Sequence, residues 1–162
     1  MLKEQPLDPA VHDRSAFDCG VPELNLYLQK FAEQHRRHGM NRVYVLVDSD
    51  EPSRILGYYT LSSGEVDAQQ LSEVDRKKLP RFPVPCFRLG RLAAAEDLRG
   101  QGIGGALLGC ALDRCLQVKA QIGAYALLVD VKDIAARAFY EHFGFRQLAD
   151  KELTLYLRLG RG

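Results

Sequence analysis

A mixed α/β fold in one domain is what this sequence predicts, and three observations carry the expectation. Between Cys86 and Leu112 a strand-like run, a glycine cluster and the apolar spacing of a helix succeed one another. A second apolar run, residues 124–131, follows that helix, and two strands joined through a helix are expected to lie parallel. Further on, Leu153, Leu155, Leu157 and Leu159 alternate with the period of a strand. The 162 residues, 46% hydrophobic and 27% charged, suffice for one substantial core and are neither disordered nor fibrous in composition. No repeat or flexible linker interrupts them, so a single domain over residues 1–162 is expected.

Pro22 and Glu23 open an amphipathic helix whose Leu24, Tyr27, Leu28 and Phe31 share a face, and Gly39 ends it. Val43 to Val47 and Ile55 to Ser62 are β-rich and read as a hairpin joined across residues 48–53. Residues 64–85 are the most irregular part, with a short helix near Gln69 to Lys78 before Pro80, Pro83 and Pro85. A strand over residues 86–93 leads into the glycine turn, and the helix after it runs to about Lys119. The strand 124–131, a helix carrying Ile134, Ala138 and Phe139 to Phe143, and the leucine-rich last strand complete the chain.

Composition excludes several classes. No apolar stretch reaches the length of a membrane span, and Met1-Leu2-Lys3-Glu4-Gln5-Pro6 lacks the apolar core of a signal peptide, so a cytoplasmic protein is expected. Cys19, Cys86, Cys110 and Cys115 have no C-x-x-C spacing and read as free thiols. His35 and His38 read as solvated side chains rather than a metal pair, and no metal site is expected. A net charge of +1 does not demand nucleic acid, but the cations are clustered. Lys30, Arg36, Arg37 and Arg42 lie at the end of the first helix, and Arg76, Lys77, Lys78 and Arg81 form a second run. Each run is either a solvated face or, if both border one cleft, a surface for nucleic-acid phosphates.

The run from Leu92 to Leu108 is the most informative part of the chain. Glycines at 100, 102, 104 and 105 remove the Cβ atoms that would hold a polyanion away from the backbone, and free N–H groups at the start of the following helix would face it. Gly100, Gly102 and Gly105 satisfy G-x-G-x-x-G, yet the preceding strand carries Arg88 and Arg91 where a dinucleotide site has a near-continuous apolar strand. No Gly-Lys-Ser/Thr follows, which excludes a P-loop. A turn without a ligand and an Arg99-x-x-Gly102-x-Gly104 phosphate cradle remain as readings.

With that turn, and with the helix ending Tyr140-x-x-x-Gly144-Phe145 downstream, the chain resembles the GCN5-related N-acetyltransferase (GNAT) family. Phe17-Asp18-Cys19-Gly20-Val21-Pro22, Leu56-Gly57-Tyr58-Tyr59-Thr60-Leu61 and Leu89-Gly90-Arg91-Leu92-Ala93 extend the resemblance, over almost the full length, to the acetyltransferase toxins of bacterial toxin–antitoxin pairs. The resemblance implies a mixed central sheet with helices on both faces and a splayed parallel pair, here residues 89–94 and 125–131. It implies acetyl-CoA as donor, with Leu92, Ala93 and Ala94 along the pantetheine arm. Arg99, Gly100, Gln101, Gly102, Ile103, Gly104 and Gly105 would hold the diphosphate, and Ala136 and Phe139 would also contact the cofactor. Tyr140 would be the catalytic residue, protonating the departing thiolate, although Phe139-Tyr140-x-x-Phe143 also reads as core.

In the narrower group the substrate is the α-amino group of aminoacyl-tRNA, whose acetylation stops translation. Lys30, Arg36, Arg37, Arg76, Lys77, Lys78, Arg81 and Arg91 are then candidates for contact with tRNA, and a ribbon-helix-helix antitoxin and a homodimer are expected. The residues themselves add one argument. The strand 86–93 has no Asp or Glu to serve as a base, which suits an α-amine of pKa about 7.7–8.0 better than a lysine near 10.4. Glu65 or Asp67 could still approach through folding. An acetyltransferase for a small amine or protein amine, and a non-catalytic acyl-CoA-binding module, are the alternative readings.

Overall fold

The computed structural model describes residues 1–79 and 83–160. Its strands are β1 (Leu2–Pro6), β2 (Arg42–Asp48), β3 (Gly57–Asp67), β4 (Pro83–Ala94), β5 (Ala126–Asp130), β6 (Arg146–Leu148) and β7 (Lys151–Arg158). They form one sheet in the order β1-β2-β3-β4-β5-β7-β6. The helices are α1 (Pro22–Leu26), α2 (Ala32–Arg37), α3 (Glu73–Arg76), α4 (Ile103–Lys119) and α5 (Ile134–His142). The chain forms two compact units, Met1–Ser62 with Gly90–Ala111, and Ser63–Leu89 with Leu112–Gly162.

In the first unit β2 and β3 make the expected hairpin, antiparallel from Arg42 opposite Leu61 to Leu46 opposite Gly57. A strand the sequence pattern conceals, β1, pairs antiparallel with β2 at the sheet edge. None of its side chains is fully buried, so it has no apolar alternation to betray it and is held by its backbone ladder. Leu28, Val43, Val45, Val47, Ile55 and Tyr58 form the core here. Gly57 permits its tightest approach, since a Cβ there would lie 2.6 Å from Leu107 Cδ1 and 2.9 Å from the Ala93 carbonyl.

The helix expected from Pro22 to Gly39 forms with a correction. A π-turn over Tyr27–Phe31 separates α1 from α2, and Gly39 follows with φ +75°. The wider turn changes the phase of the apolar face. Tyr27, Leu28 and Ala32 are buried, whereas Phe31, expected beside them, is 42% exposed.

In the second unit β4 and β5 run parallel, from Cys86 opposite Ala126 to Leu89 opposite Val129, and β4 continues to Ala94. β7 pairs antiparallel with β5 and with the short β6. Val66, Leu71, Val84, Cys86, Leu128 and Tyr156 form this unit's core. The segment expected to be irregular is more ordered than its prolines suggest. β3 extends to Asp67 and β4 begins at Pro83, with Pro83 and Pro85 exposed and Val84 and Cys86 buried in alternation. In place of one helix over 69–78 stand a 3₁₀ turn, Ala68–Gln70, and the single turn of α3. Arg81, from the second basic run, lies outside the described residues. No disulfide joins Cys19, Cys86, Cys110 or Cys115, and among the described residues no helix is long and apolar enough to cross a membrane.

Candidate active site

The glycine turn is built by its own backbone. After a 3₁₀ turn over Glu96–Leu98, the Arg99 N–H donates to the Glu96 carbonyl and the Gln101 N–H to that of Leu98. Gly100 and Gly102 both have φ +79°, a left-handed conformation that costs other residues free energy. Nothing lies within 4 Å of a Cβ built on either, so conformation rather than space requires glycine at both. The bond that closes the start of α4 is Ala106 N–H to Gly102 carbonyl. The N–H groups of Ile103, Gly104 and Gly105 therefore precede the helical ladder and have no intrahelical acceptor. Ile103 is buried and anchors the turn, while Arg99 is exposed, with its guanidinium 3.7 Å from Glu96. Amides without an intrahelical acceptor, the positive end of a 17-residue helix and an exposed cation suit a bound diphosphate.

Upstream, Ala93 and Ala95 are buried in the core of the first unit, and Leu92 and Ala94 are half-buried. Both arginines of β4 have partners. Arg88 pairs with Asp130, which also accepts from Thr154 Oγ1 at 2.7 Å. Arg91, a candidate for tRNA contact, stacks its guanidinium on the Tyr27 ring at 3.4 Å. The Tyr27 hydroxyl in turn lies 2.9 Å from His35 Nδ1 and accepts from Asn41 Nδ2 at 2.8 Å, so His35 is an engaged side chain rather than a solvated one. Among the described residues no group of His, Cys, Asp and Glu could hold a metal ion.

Tyr140 lies on α5, in the second unit, 7% exposed and packed edge-on against Phe139 and Phe145. Burial pushes its phenol well above the ordinary value, so it is protonated at any physiological pH. Ala136 and Phe139 are half-buried on the same helix. The Ala136 N–H is committed to the cap, bonding Asp133 Oδ1 at 2.8 Å. Of the two carboxylates considered as bases, Asp67 caps the 3₁₀ turn through the Gln69 N–H, and Glu65 is exposed.

The basic runs are differently engaged. In the first unit Lys30 and Arg37 are exposed, and Arg36 is held by Glu33, with Nε 2.9 Å from the carboxylate. In the second unit Arg76, Lys77 and Lys78 are exposed, Lys77 lying 3.7 Å from Glu73. Sequence reasoning missed what holds this second run. Asp75 is buried, accepting from Tyr156 Oη at 2.7 Å and Ser72 Oγ at 3.0 Å. Burial alone would raise its pKa, but those hydrogen bonds and the charges of Arg146 and Arg158 leave it below the ordinary carboxylate value. The only sequence signal was Ser72-x-x-Asp75, a capping pattern.

Comparison with known proteins identifies the family. Residues 10–145 match the acetyltransferase (GNAT) family model. A Mycobacterium tuberculosis protein named tRNA-acetylating toxin is 38% identical over 145 residues, which are 90% of this chain and 85% of that protein. Among solved structures, AtaT complexed with acetyl-methionyl-tRNAfMet superposes with a TM-score of 0.91 at 30% identity, over 98% of this chain and 95% of that one. A tyrosine-to-phenylalanine mutant of AtaT, bound to the C-terminus of the antitoxin AtaR and acetyl-CoA, gives 0.83 at 28% identity, over 98% and 93% of the two chains.

Proposed function

The chain belongs to the acetyltransferase (GNAT) family, and on that premise we propose that it transfers an acetyl group from acetyl-CoA to the α-amine of an aminoacyl-tRNA, acting as the toxin of a toxin–antitoxin pair. The observation that carries this reading is the likeness, at a TM-score of 0.91 over 98% of the chain, to AtaT in complex with an acetylated aminoacyl-tRNA. Blocking the α-amine of a charged tRNA removes the nucleophile of peptide-bond formation, which is how translation stops. The cytoplasm, where charged tRNA resides, is the compartment, and residues 1–162 act as a single domain. Its partners are a ribbon-helix-helix antitoxin and a second copy in a homodimer.

Acetyl-CoA supplies the activated thioester. The amides of Ile103, Gly104 and Gly105 and the Arg99 guanidinium bind its diphosphate, with Gly100, Gln101 and Gly102 shaping the turn. Backbone groups of Leu92, Ala93 and Ala94 take the pantetheine arm. Ala136, whose N–H is engaged by Asp133, contributes its methyl group beside Phe139. Tyr140 Oη holds the proton that the departing sulfur takes. With Arg88 and Arg91 the only charged residues of β4 and Asp67 engaged in a cap, the chain suits an amine that needs no strong base. The α-amine of an aminoacyl ester, below the ordinary pKa of about 7.7–8.0, is such an amine. Lys30, Arg37, Arg76, Lys77 and Lys78 are the exposed cations that would meet tRNA phosphates, while Arg36 and Arg91 already have partners.

Incubation with radiolabelled acetyl-CoA and total charged tRNA, followed by sequencing of the labelled species, tests the proposal. Label on the aminoacyl end of one or a few tRNAs is expected. Label confined to small amines or proteins would overturn it.

A further inference from the structure

The α1–α2 helical segment carries a cluster of three rings that the reaction does not use. Tyr27, Phe31 and His35 recur every four residues. Tyr27 and Phe31 have centroids 6.5 Å apart and planes inclined by 30°, and Phe31 and His35 follow at 6.4 Å and 36°. Tyr27 is clamped by His35, Asn41 and the Arg91 guanidinium. Phe31 has its neighbours' support but not their burial, and 42% of its surface faces solvent at the end of the π-turn. An isolated exposed phenylalanine is ordinary. This one packs against two rings that also touch each other, Tyr27 and His35 having centroids 5.3 Å apart, at the end of a π-turn of the kind that recurs at functional sites, and in a mainly cationic segment. From Tyr27 to Arg42 the cations are Lys30, Arg36, Arg37 and Arg42, and the sole carboxylate, Glu33, is already paired with Arg36.

We propose that Phe31, backed by Tyr27 and His35, is a stacking platform for an unpaired base in the single-stranded 3′ end of the charged tRNA. The inference rests on the tRNA reading above and adds to it where the acceptor's unpaired bases are held. A flat aromatic face binds any unstacked base without hydrogen-bond readout, and the surrounding cations meet the adjoining phosphates. Such a platform grips the part of the substrate common to all tRNAs and leaves discrimination to other contacts.

The test uses the intact protein and an RNA hairpin with an unpaired 3′ overhang containing 2-aminopurine, beside a blunt hairpin of the same stem. Phe31→Ala is expected to weaken binding of the overhang hairpin about tenfold and to abolish the fluorescence quenching that marks stacking. Phe31→Tyr keeps both. Phe31→Leu, which retains apolar bulk without a π face, loses both even if Phe31→Ala should fail to fold. The blunt hairpin binds all variants alike, and acetyl-CoA affinity is unchanged. In turnover, Phe31→Leu raises the KM for charged tRNA by about the same factor. Unchanged overhang binding or unchanged KM in Phe31→Leu overturns the platform alone, while a wild-type protein that acetylates no charged tRNA overturns it together with the reading on which it rests. A wild-type dimer that Phe31→Leu converts to a monomer, seen by sedimentation, would make this face a contact between copies and also overturns the platform.

Discussion

The guanidinium of Arg91 sits 3.4 Å from the centroid of the Tyr27 ring, joining β4 to the π-turn through a cation and a π face. Contacts of this kind contribute about 0.5–2 kcal/mol, more as they are desolvated. Denaturant unfolding of Arg91→Ala, Tyr27→Leu and the double variant should therefore give a coupling free energy of about 1 kcal/mol. A coupling near zero would mean that the two side chains are merely adjacent.

The glycine turn should not tolerate an anionic side chain. Gly104→Glu places a carboxylate at the first turn of α4, where the amides of Ile103 and Gly105 have no intrahelical acceptor. Calorimetry should find no measurable acetyl-CoA binding by a variant whose melting curve remains cooperative. Retained affinity would move the diphosphate elsewhere.

Tyr140→Phe keeps the edge-on ring packing with Phe139 and Phe145 and removes only the hydroxyl. Acetyl-CoA affinity should persist, while kcat falls by roughly 10²–10⁴, the usual contribution of a positioned acid. Because burial raises the folded-state pKa above the ordinary 10.0, the phenol stays protonated across the working range, and the wild-type rate should show no basic limb from Tyr140 below about pH 10. The same shift makes a stability term that is complete below pH 10.0 and is lost as pH rises through the folded value. Thermal melts of Tyr140→Phe should lack that alkaline loss.

The second basic run should act through phosphates. Replacing Arg76, Lys77 and Lys78 by Ala should weaken tRNA binding to the same degree for every tRNA and flatten the plot of log affinity against log salt by roughly one unit per lost contact. The pairing of Lys77 with Glu73 at 3.7 Å is exposed and holds it back little. Normal acetylation of charged tRNA by the triple variant across a salt series would release these residues from the proposal.

What the sequence disclosed depended on periodicity and on backbone chemistry. The hairpin of β2 and β3 showed because its runs are rich in β-branched and aromatic residues, α4 because Ile103, Leu107, Leu108 and Leu112 have helical spacing, and the turn at Gly100 and Gly102 because only glycine takes its conformation readily. β1 stayed hidden, since Leu2–Pro6 is an edge strand with no buried side chain to mark a face. Phe31 misled for the opposite reason. Its spacing from Tyr27 is right for a shared face, and a π-turn, which has no compositional signature, changed the phase. The partners of Arg91 and Asp75 were illegible because folding brings distant elements together, Tyr27 of the π-turn onto Arg91 of β4 and Tyr156 of β7 onto Asp75 of α3, while the local pairing of His35 with Tyr27 has no compositional signature.

The buried carboxylate of Asp75 changes what its neighbours are. A four-residue helix such as Glu73–Arg76 does not persist in isolation. Tied to Tyr156 Oη and Ser72 Oγ, it is ordered when the chain folds, and fixing each backbone residue costs about 1–2 kcal/mol at that moment rather than on meeting a ligand. A polyanion arriving at Arg76, Lys77 and Lys78 thus meets a preorganised array and loses less entropy in engaging it. One negative charge, placed out of the solvent beside three positive ones, thereby strengthens their hold on an anion instead of cancelling it.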